Sequence, residues 1–487
     1  MVVQSNGWTL FYGDAEAHLD IARRIVDSRT PGYDQVGTVW LPLPHALMLP
    51  LVVDQRLWQT GLAGAIASAV CFILSGAFLF GAARRIFGSL AAALVTTGVF
   101  ATNPNLLYLQ STPMTEGVFY LGLLALLYAM SVFHDKHSWM AVAGAGIASA
   151  AASLTRYEGW FLIPFATIFF MVTAERQQWK IGLAFGLIAS LAPLYWLAHN
   201  FWYFGDPLSF YNGPYSAQAI YQRALDQGMA RYAGDHDWAK ALLYYGSASG
   251  LCIGWGSTLT AACGVAAVVR KRIWWPAAFL GSLPVFYVWS MHSSGTPIFV
   301  PHLWPNGYYN TRYGLSALPL IALCAGAVVL LPPAKYRLGT ALAALVLALC
   351  PWVIHANQEN LICWKESQVN SEGRRAWTWQ AAQYLTAHRR TGAGIFSQLG
   401  DLAGIYREAG IPLREVLHEG NGAAWDAAIA RPDLFLHEPW AVAQAGDKVA
   451  AAILKAARTG PHYECVQTII VKDAPVIEIY RRTENGT

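Results

Sequence analysis

Two acids separated by one residue, Asp14 and Glu16 in YGDAEAH, open a stretch in which carboxylates and arginines recur beside apolar blocks. Glu116 stands in STPMTEG, Arg156 and Glu158 in LTRYEGW, and Arg312 with Tyr313 in GYYNTRYGL. A carboxylate can take a proton from an attacking hydroxyl, and a guanidinium can hold a phosphate through paired N–H groups. Each position also has a structural explanation. Asp14 and Glu16 fit a helix start, where acids meet free N–H groups and the positive end of the dipole. Glu116 is expected in a first turn after a Thr112 cap and Pro113 at the first helical position. Arg156 with Glu158 fits an interfacial ion pair, and Arg312 an arginine reaching for water. Four histidines, His18, His45, His292 and His302, fall in the same kinds of segment. With Asp14 and Glu16 they have the chemistry of divalent-metal ligands, but no tight spacing such as HExxH is present. No cofactor is firmly implied, and a divalent metal stays open.

The elements that position these residues follow from composition. Of 487 residues 55% are hydrophobic and only 13% charged, against about a quarter charged in a soluble domain. Apolar blocks long enough for a helix to cross about 30 Å of hydrocarbon recur along the chain. Spans are predicted over 57–81, 89–107, 115–133, 138–154, 159–174, 181–200, 247–269, 273–290, 313–331 and 338–355. Between them Arg84 and Arg85, Lys136, Arg176 with Lys180, Arg270 to Arg272, and Lys335 with Arg337 fall on one side, which the positive-inside rule makes cytoplasmic. The net charge of +4 therefore reports orientation, and no nucleic-acid partner is indicated.

The opposite side receives the N-terminal segment with its loop 10–56, the loops 201–246 and 291–312, and everything after 356. All the candidate site residues come to that face, each beside an apolar span. Ionisable groups near a bilayer are costly, about 2.5 to 3.5 kcal/mol at its centre, so they mark function more often than chance placement does. Within the first loop Leu19, Ala22, Ile25 and Val26 fall at helical spacing, with Asp20, Arg23, Arg24 and Asp27 on other faces, which predicts a helix on the membrane surface. Nothing ahead of it is long and apolar enough to carry it across. Either a span lies upstream or the following span translocates this segment.

After Trp352 the composition becomes mixed. A helix is predicted through GRRAWTWQAAQYLTAHRR, then strand 394–398, helix 400–410, strand 414–418, helix 423–430, strand 433–437, helix 441–457 and strands 465–471 and 475–481. Two domains are expected: 1–356, helical and membrane-embedded, and 357–487, a small α/β domain with a partly parallel sheet and HEGN, His418 to Asn421, in a loop. No glycine-rich phosphate loop supports nucleotide binding. Of seven cysteines only Cys363 and Cys465 lie outside apolar spans, so only these two are candidates to pair.

The order GDAEAHLDIARRIVDSRTPGYDQVGTVWLPLPH, NPNLLYLQSTPMTEGVFY, SLTRYEGW and TRYGLSALPL resembles membrane glycosyltransferases of the GT-C superfold. The branch is the bacterial family-39-like one, related to protein mannosyltransferases and the lipid A aminoarabinose transferase. The resemblance covers roughly residues 8 to 355, and its most specific part is the acidic loop followed by a surface helix and WLPL-H. Two features depart from the pattern: the family places a span before the acidic loop, and its paired Asp-Glu is here spaced by Ala15. The resemblance implies an inverting glycosyltransferase of the inner membrane, working outside the cytoplasm. Its donor would be a polyprenyl-phosphate-linked sugar and its acceptor a protein, a glycan or a lipid. Asp14, with Glu16, is implied as the catalytic acid pair. Glu116, Arg156, Glu158, Arg312, His45 and Tyr313 are implied to bind substrate, with Asp14 and Arg312 lining one cavity. The competing reading is a transporter or lipid flippase, which would carry internal repeats and midplane polar groups; neither is found. A non-catalytic scaffold of the same fold is the other rival.

Overall fold

The computed structural model describes residues 2–354, 360–458 and 460–483. The contacts divide the chain into two compact units: residues 38–44 with 66–366, and residues 1–37 with 45–65 and 367–487. The expected domain boundary at 356/357 lies outside the described residues.

The first unit is helical. Leu62–Phe87, Glu116–Lys136, Gln178–Phe204, Thr311–Leu330 and Ala334–Ile354 are long and apolar enough to cross a membrane. Three more apolar helices, Leu90–Ala101, Trp139–Ser153 and Glu158–Thr173, are shorter. Not every expected span is continuous. The stretch predicted as one helix over 89–107 breaks after Ala101, because the Asn103 side chain caps a new helix by accepting from Leu106 N at 3.0 Å and Pro104 opens it. The span predicted over 247–269 is two helices, Trp238–Ile253 and Trp255–Arg270, bent by 109°. Gly254 makes the corner with φ 84°, a backbone that side-chain-bearing residues avoid. Close helix crossings rest on small residues. A Cβ on Gly264 would overlap the carbonyl oxygen of Cys324, so Trp255–Arg270 and Leu318–Ala327 meet at backbone distance.

The second unit carries the helix Gly13–Val26 and a five-stranded sheet in the order β2-β1-β3-β5-β4. The strands are β1 Ile395–Ser397, β2 Val416–Leu417, β3 Trp440–Gln444, β4 Tyr463–Ile469 and β5 Ile477–Arg482. β1 runs parallel to β2 and β3, and β5 pairs antiparallel with β3 and β4, so the sheet is partly parallel as expected. Phe396, Leu417, Trp425, Ala441, Val449 and Ile453 build the core under it.

Two elements differ from the sequence reading. Residues 433–437 were expected as a strand, yet Pro432–Phe435 is a helical turn, since Pro432 at its first position and Asp433 in its first turn favour a helix start. The helix expected over 441–457 is β3 followed by the helix Lys448–Ala456. A short, fully apolar run such as WAVA has no period to separate strand from helix, and Asp447 caps the real helix by accepting from Ala450 N at 2.8 Å. HEGN forms a tight turn in which the buried His418 accepts from Gly420 N at 3.0 Å. Cys363 and Cys465 are both free thiols.

Candidate functional site

In the helical unit two carboxylates sit at helix starts, a place the sequence suggested for Glu116. Glu116 is the first residue of Glu116–Lys136 and Glu158 the first of Glu158–Thr173. The expected Thr112 cap is not used: the helix begins later, after Thr115, and Thr112 Oγ1 donates to Leu109 O at 2.6 Å instead. Gly159, next to Glu158, lets this helix start touch the backbone of Ala152 and Ser153.

Arg156 lies between those acids and uses the whole guanidinium. Nε donates to Glu158 Oε1 at 2.7 Å, Nη1 to Glu116 Oε1 at 3.2 Å and to Thr115 Oγ1 at 3.0 Å, and Nη2 to Tyr287 OH at 2.9 Å. Tyr287 OH in turn donates to Glu158. Arg312 reaches Glu366 through Nη1 at 3.3 Å and Glu116 through Nε at 3.5 Å. The Tyr313 ring lies 5.1 Å from the Arg156 guanidinium carbon and 4.9 Å from that of Arg312, so one aromatic ring serves both cations. Glu116, Glu158, Arg312 and Glu366 are all buried. Charges in such a place persist only when paired, and three carboxylates against two guanidiniums meet that condition. Glu116 Oε2 is buried with no hydrogen-bond partner among the described residues. The cavity inside this cluster is about 10 Å³, room for roughly one water. Four residues singled out in the sequence as substrate-binding, Glu116, Arg156, Glu158 and Arg312, are thus joined in one network with Tyr313. Tyr287 and Glu366 complete it. Neither could be found from sequence: a tyrosine in an apolar helix reads as an interfacial aromatic, and Glu366 reads as one polar residue in mixed text.

In the second unit Asp14 and Glu16 occupy the first turn of Gly13–Val26 and differ in surroundings. Asp14 is half-buried. Glu16 is buried and gripped from two sides, Oε1 by Arg407 Nη2 at 2.8 Å and Oε2 by Arg374 Nη1. Arg374 also donates to Phe11 O at 2.7 Å, fixing the chain just ahead of the helix. Burial by itself would raise the Glu16 pKa, but attraction to Arg374 and Arg407 and their hydrogen bonds outweigh it and hold the carboxyl below its ordinary 4.5. His45 is fully buried with Nε2 at 3.0 Å from His18 Nδ1. Among the described residues no group of three or more His, Cys, Asp or Glu converges as a metal site.

The polar face of this helix, which the sequence suggested would be solvated, is itself buried at Asp20 and Arg23. Arg23 pairs with Asp27 at 2.9 Å and donates to Val53 O at 3.2 Å. Asp20 accepts from Trp58 Nε1 at 2.9 Å. Burial, reinforced by the negative Glu16 one turn away, raises the Asp20 pKa from 3.8 to about 7. The one-turn spacing of Glu16 and Asp20 was the available sequence signal for this residue. A carboxyl whose folded pKa is raised binds its proton more tightly in the folded state. Its contribution is full below about 3.8 and is lost as pH rises through about 7. Asn keeps the oxygen that Trp58 needs and cannot ionise. Asp20→Asn is therefore expected to raise the apparent melting temperature most at pH 8 and by clearly less at pH 5. Equal shifts at both pH values would show that Asp20 is not protonated in the folded protein.

Residues 55–197 match the family described as dolichyl-phosphate-mannose-protein mannosyltransferase. No curated protein sequence matches the chain. Among solved structures, ArnT from Cupriavidus metallidurans in the apo state is similar over 96% of this chain and 93% of its own, with TM-score 0.57 and 15% identity. The same protein bound to undecaprenyl phosphate is similar over 98% and 96%, with TM-score 0.56 and 14% identity. The oligosaccharyltransferase of Archaeoglobus fulgidus, solved with Zn and sulfate, is more distant, with TM-score 0.45 and 12% identity over 88% of this chain and 64% of its own. With several apolar helices, a small sheet region and these likenesses, the chain is an integral membrane protein that resembles the GT-C superfold glycosyltransferases, family-39-like, in fold over nearly its whole length.

Proposed function

We propose that this protein is an inverting glycosyltransferase that moves a sugar from a polyprenyl-phosphate donor to an acceptor outside the cytoplasm. The observation that carries the reading is the pair of Arg156, largely buried, and Arg312, buried, on one tyrosine ring, at the starts of apolar helices. An ArnT of the same fold binds undecaprenyl phosphate. In this reading the acceptor oxygen attacks the anomeric carbon and its proton passes to Asp14. The bond from that carbon to the phosphate oxygen breaks, and its electron pair leaves on the polyprenyl phosphate. Arg156 and Arg312 stabilise that developing charge, a task suited to preorganised donors in a dry site. Glu158 and Glu366 hold the arginines, Tyr313 supports both guanidiniums, and the unpartnered Glu116 oxygen accepts from a hydroxyl of the donor sugar. Because the cavity holds about one water, the donor phosphate enters by displacing part of the ion-pair network. Glu16 and His45 position the helix that carries Asp14. The C-terminal α/β domain and the first loop face the outside, the basic loops the cytoplasm, in the inner membrane of a bacterium. The acceptor is a protein, a glycan or a lipid.

The test uses the purified protein with a synthetic polyprenyl-phosphate sugar, its acceptor class identified by mass spectrometry of surface glycans and glycoproteins with and without the gene. Arg312→Lys keeps the charge but loses the fork that reaches Glu366 and Glu116. It is expected to raise KM for the donor by about tenfold or more and to leave acceptor KM nearly unchanged. An effect confined to the acceptor would remove Arg312 from the phosphate site.

A further inference from the structure

We propose that the helical unit carries a second phosphate-recognising site, a headgroup pocket for an anionic phospholipid, at the opposite ends of its helices. A cavity of about 210 Å³ opens there, lined by Arg85, His134, Asp135, Lys271, Arg272 and Trp275 among others. It lies where Leu62–Phe87 and Glu116–Lys136 end and where Trp255–Arg270 passes into Trp274–His292. Glu116–Lys136 has 21 residues, a rise of about 31 Å, with Glu116 of the carboxylate–arginine cluster at one end and this cavity at the other. That is the thickness of a bilayer's hydrocarbon, so the two sites belong to opposite membrane faces.

The charge of the pocket is unbalanced. Arg85 is neutralised by Asp135 at 2.9 Å, but Lys271 and Arg272 have no ion-pair partner among the described residues. Their turn is fixed in place: Arg272 sits at φ 56°, and the backbone N–H of Lys271 and of Ile273 donate to Ala267 O at 2.8 Å and Val268 O at 2.9 Å. This is the left-handed cap of a helix end, and it holds both cations at one place on the cavity wall. Ile86, Ser131 and Ile273 complete the lining, and Trp275 packs against Phe169 at 4.7 Å and His134 at 5.8 Å.

A free anion and a lipid headgroup share the phosphate chemistry, and the surroundings favour the lipid. Trp139 and Trp274 at neighbouring helix starts are more than half exposed, as are Leu90 and Met140. Exposed tryptophans at helix ends mark the membrane–water interface, and basic pockets between spans at that depth take anionic headgroups. An acyl chain has apolar helix surface to follow, whereas a soluble phosphate would leave that surface unused.

The test is lipid retention by the full-length protein in detergent, read by native mass spectrometry after adding phosphatidylglycerol or phosphatidylcholine. Phosphatidylglycerol is expected to be retained at least about tenfold better, and Lys271→Gln with Arg272→Gln to lower its retention by about tenfold or more. Both side chains are exposed, so folding is not at stake. Arg176→Gln with Lys180→Gln removes two equally exposed charges that do not line the cavity and is expected to change little. An equal loss in that control would reduce the effect to general surface charge and overturn the pocket. Competition by millimolar glycerol 3-phosphate at the level of the lipid would overturn the lipid assignment.

Discussion

Asp14→Asn is expected to leave the protein folded and to lower turnover by about two to four powers of ten, the range that follows loss of a general base. The contrast with Glu16 gives the expectation its direction. Both oxygens of Glu16 are taken by arginines, so that carboxylate has little capacity left to receive a proton from an acceptor. Asp14, two residues earlier, is half-buried in the first turn of the same helix. Asparagine preserves the size and the helix-start preference of aspartate, so a purely structural role would survive the change. The measurement is single-turnover transfer at saturating donor and acceptor, beside the apparent melting temperature of the variant. A variant that melts normally and turns over within a factor of three of the parent would remove Asp14 from the chemistry.

The sequence carried these acids in plain view because one-turn spacing and flanking apolar blocks are local signals. Gly13–Val26 is where the pattern of Leu19, Ala22 and Val26 puts a helix, Glu116 opens a helix as a first-turn acid should, and Glu158 pairs with Arg156 as their spacing suggested. What could not be seen was pairing over long separations. Arg407 lies 391 residues from Glu16 and Glu366 lies 54 from Arg312, and nothing in the text around either marks it as a partner. The same limit explains the buried face of Gly13–Val26. Asp20 and Arg23 look like solvated positions until Trp58 and the backbone of Val53 are brought to them. The broken span at Gly254 failed for another reason: composition measures how apolar a stretch is, whereas a single left-handed glycine decides whether it is straight.

Removing the Glu16 carboxylate is expected to act on stability more than any other single change in the second unit. Glu16→Ala leaves the guanidiniums of Arg374 and Arg407 largely buried, with side-chain exposures of 12% and 9%, and without their shared counter-charge. Breaking a buried pair in this way costs about 3–5 kcal/mol, because the surviving charge has neither water nor a partner. In a unit of this size that corresponds to a fall in apparent melting temperature on the order of 10 °C. Arg407 keeps a bond to Gln59 O at 2.7 Å and Arg374 one to Phe11 O, so neither is stripped bare, and the loss should fall short of complete unfolding. The pH dependence separates this pairing from simple packing. A carboxyl held below 4.5 in the folded state contributes stability that is present above that value and lost as pH falls through the lower folded pKa. The difference in melting temperature between Glu16→Ala and the parent should therefore be large at pH 7 and shrink in acid. Combining Glu16→Ala with Arg407→Ala should cost less than the two single changes added together, since the second removes a charge the first left stranded. Additive costs, or a difference that persists unchanged into acid, would mean that Glu16 holds the helix through its bulk and not through its charge.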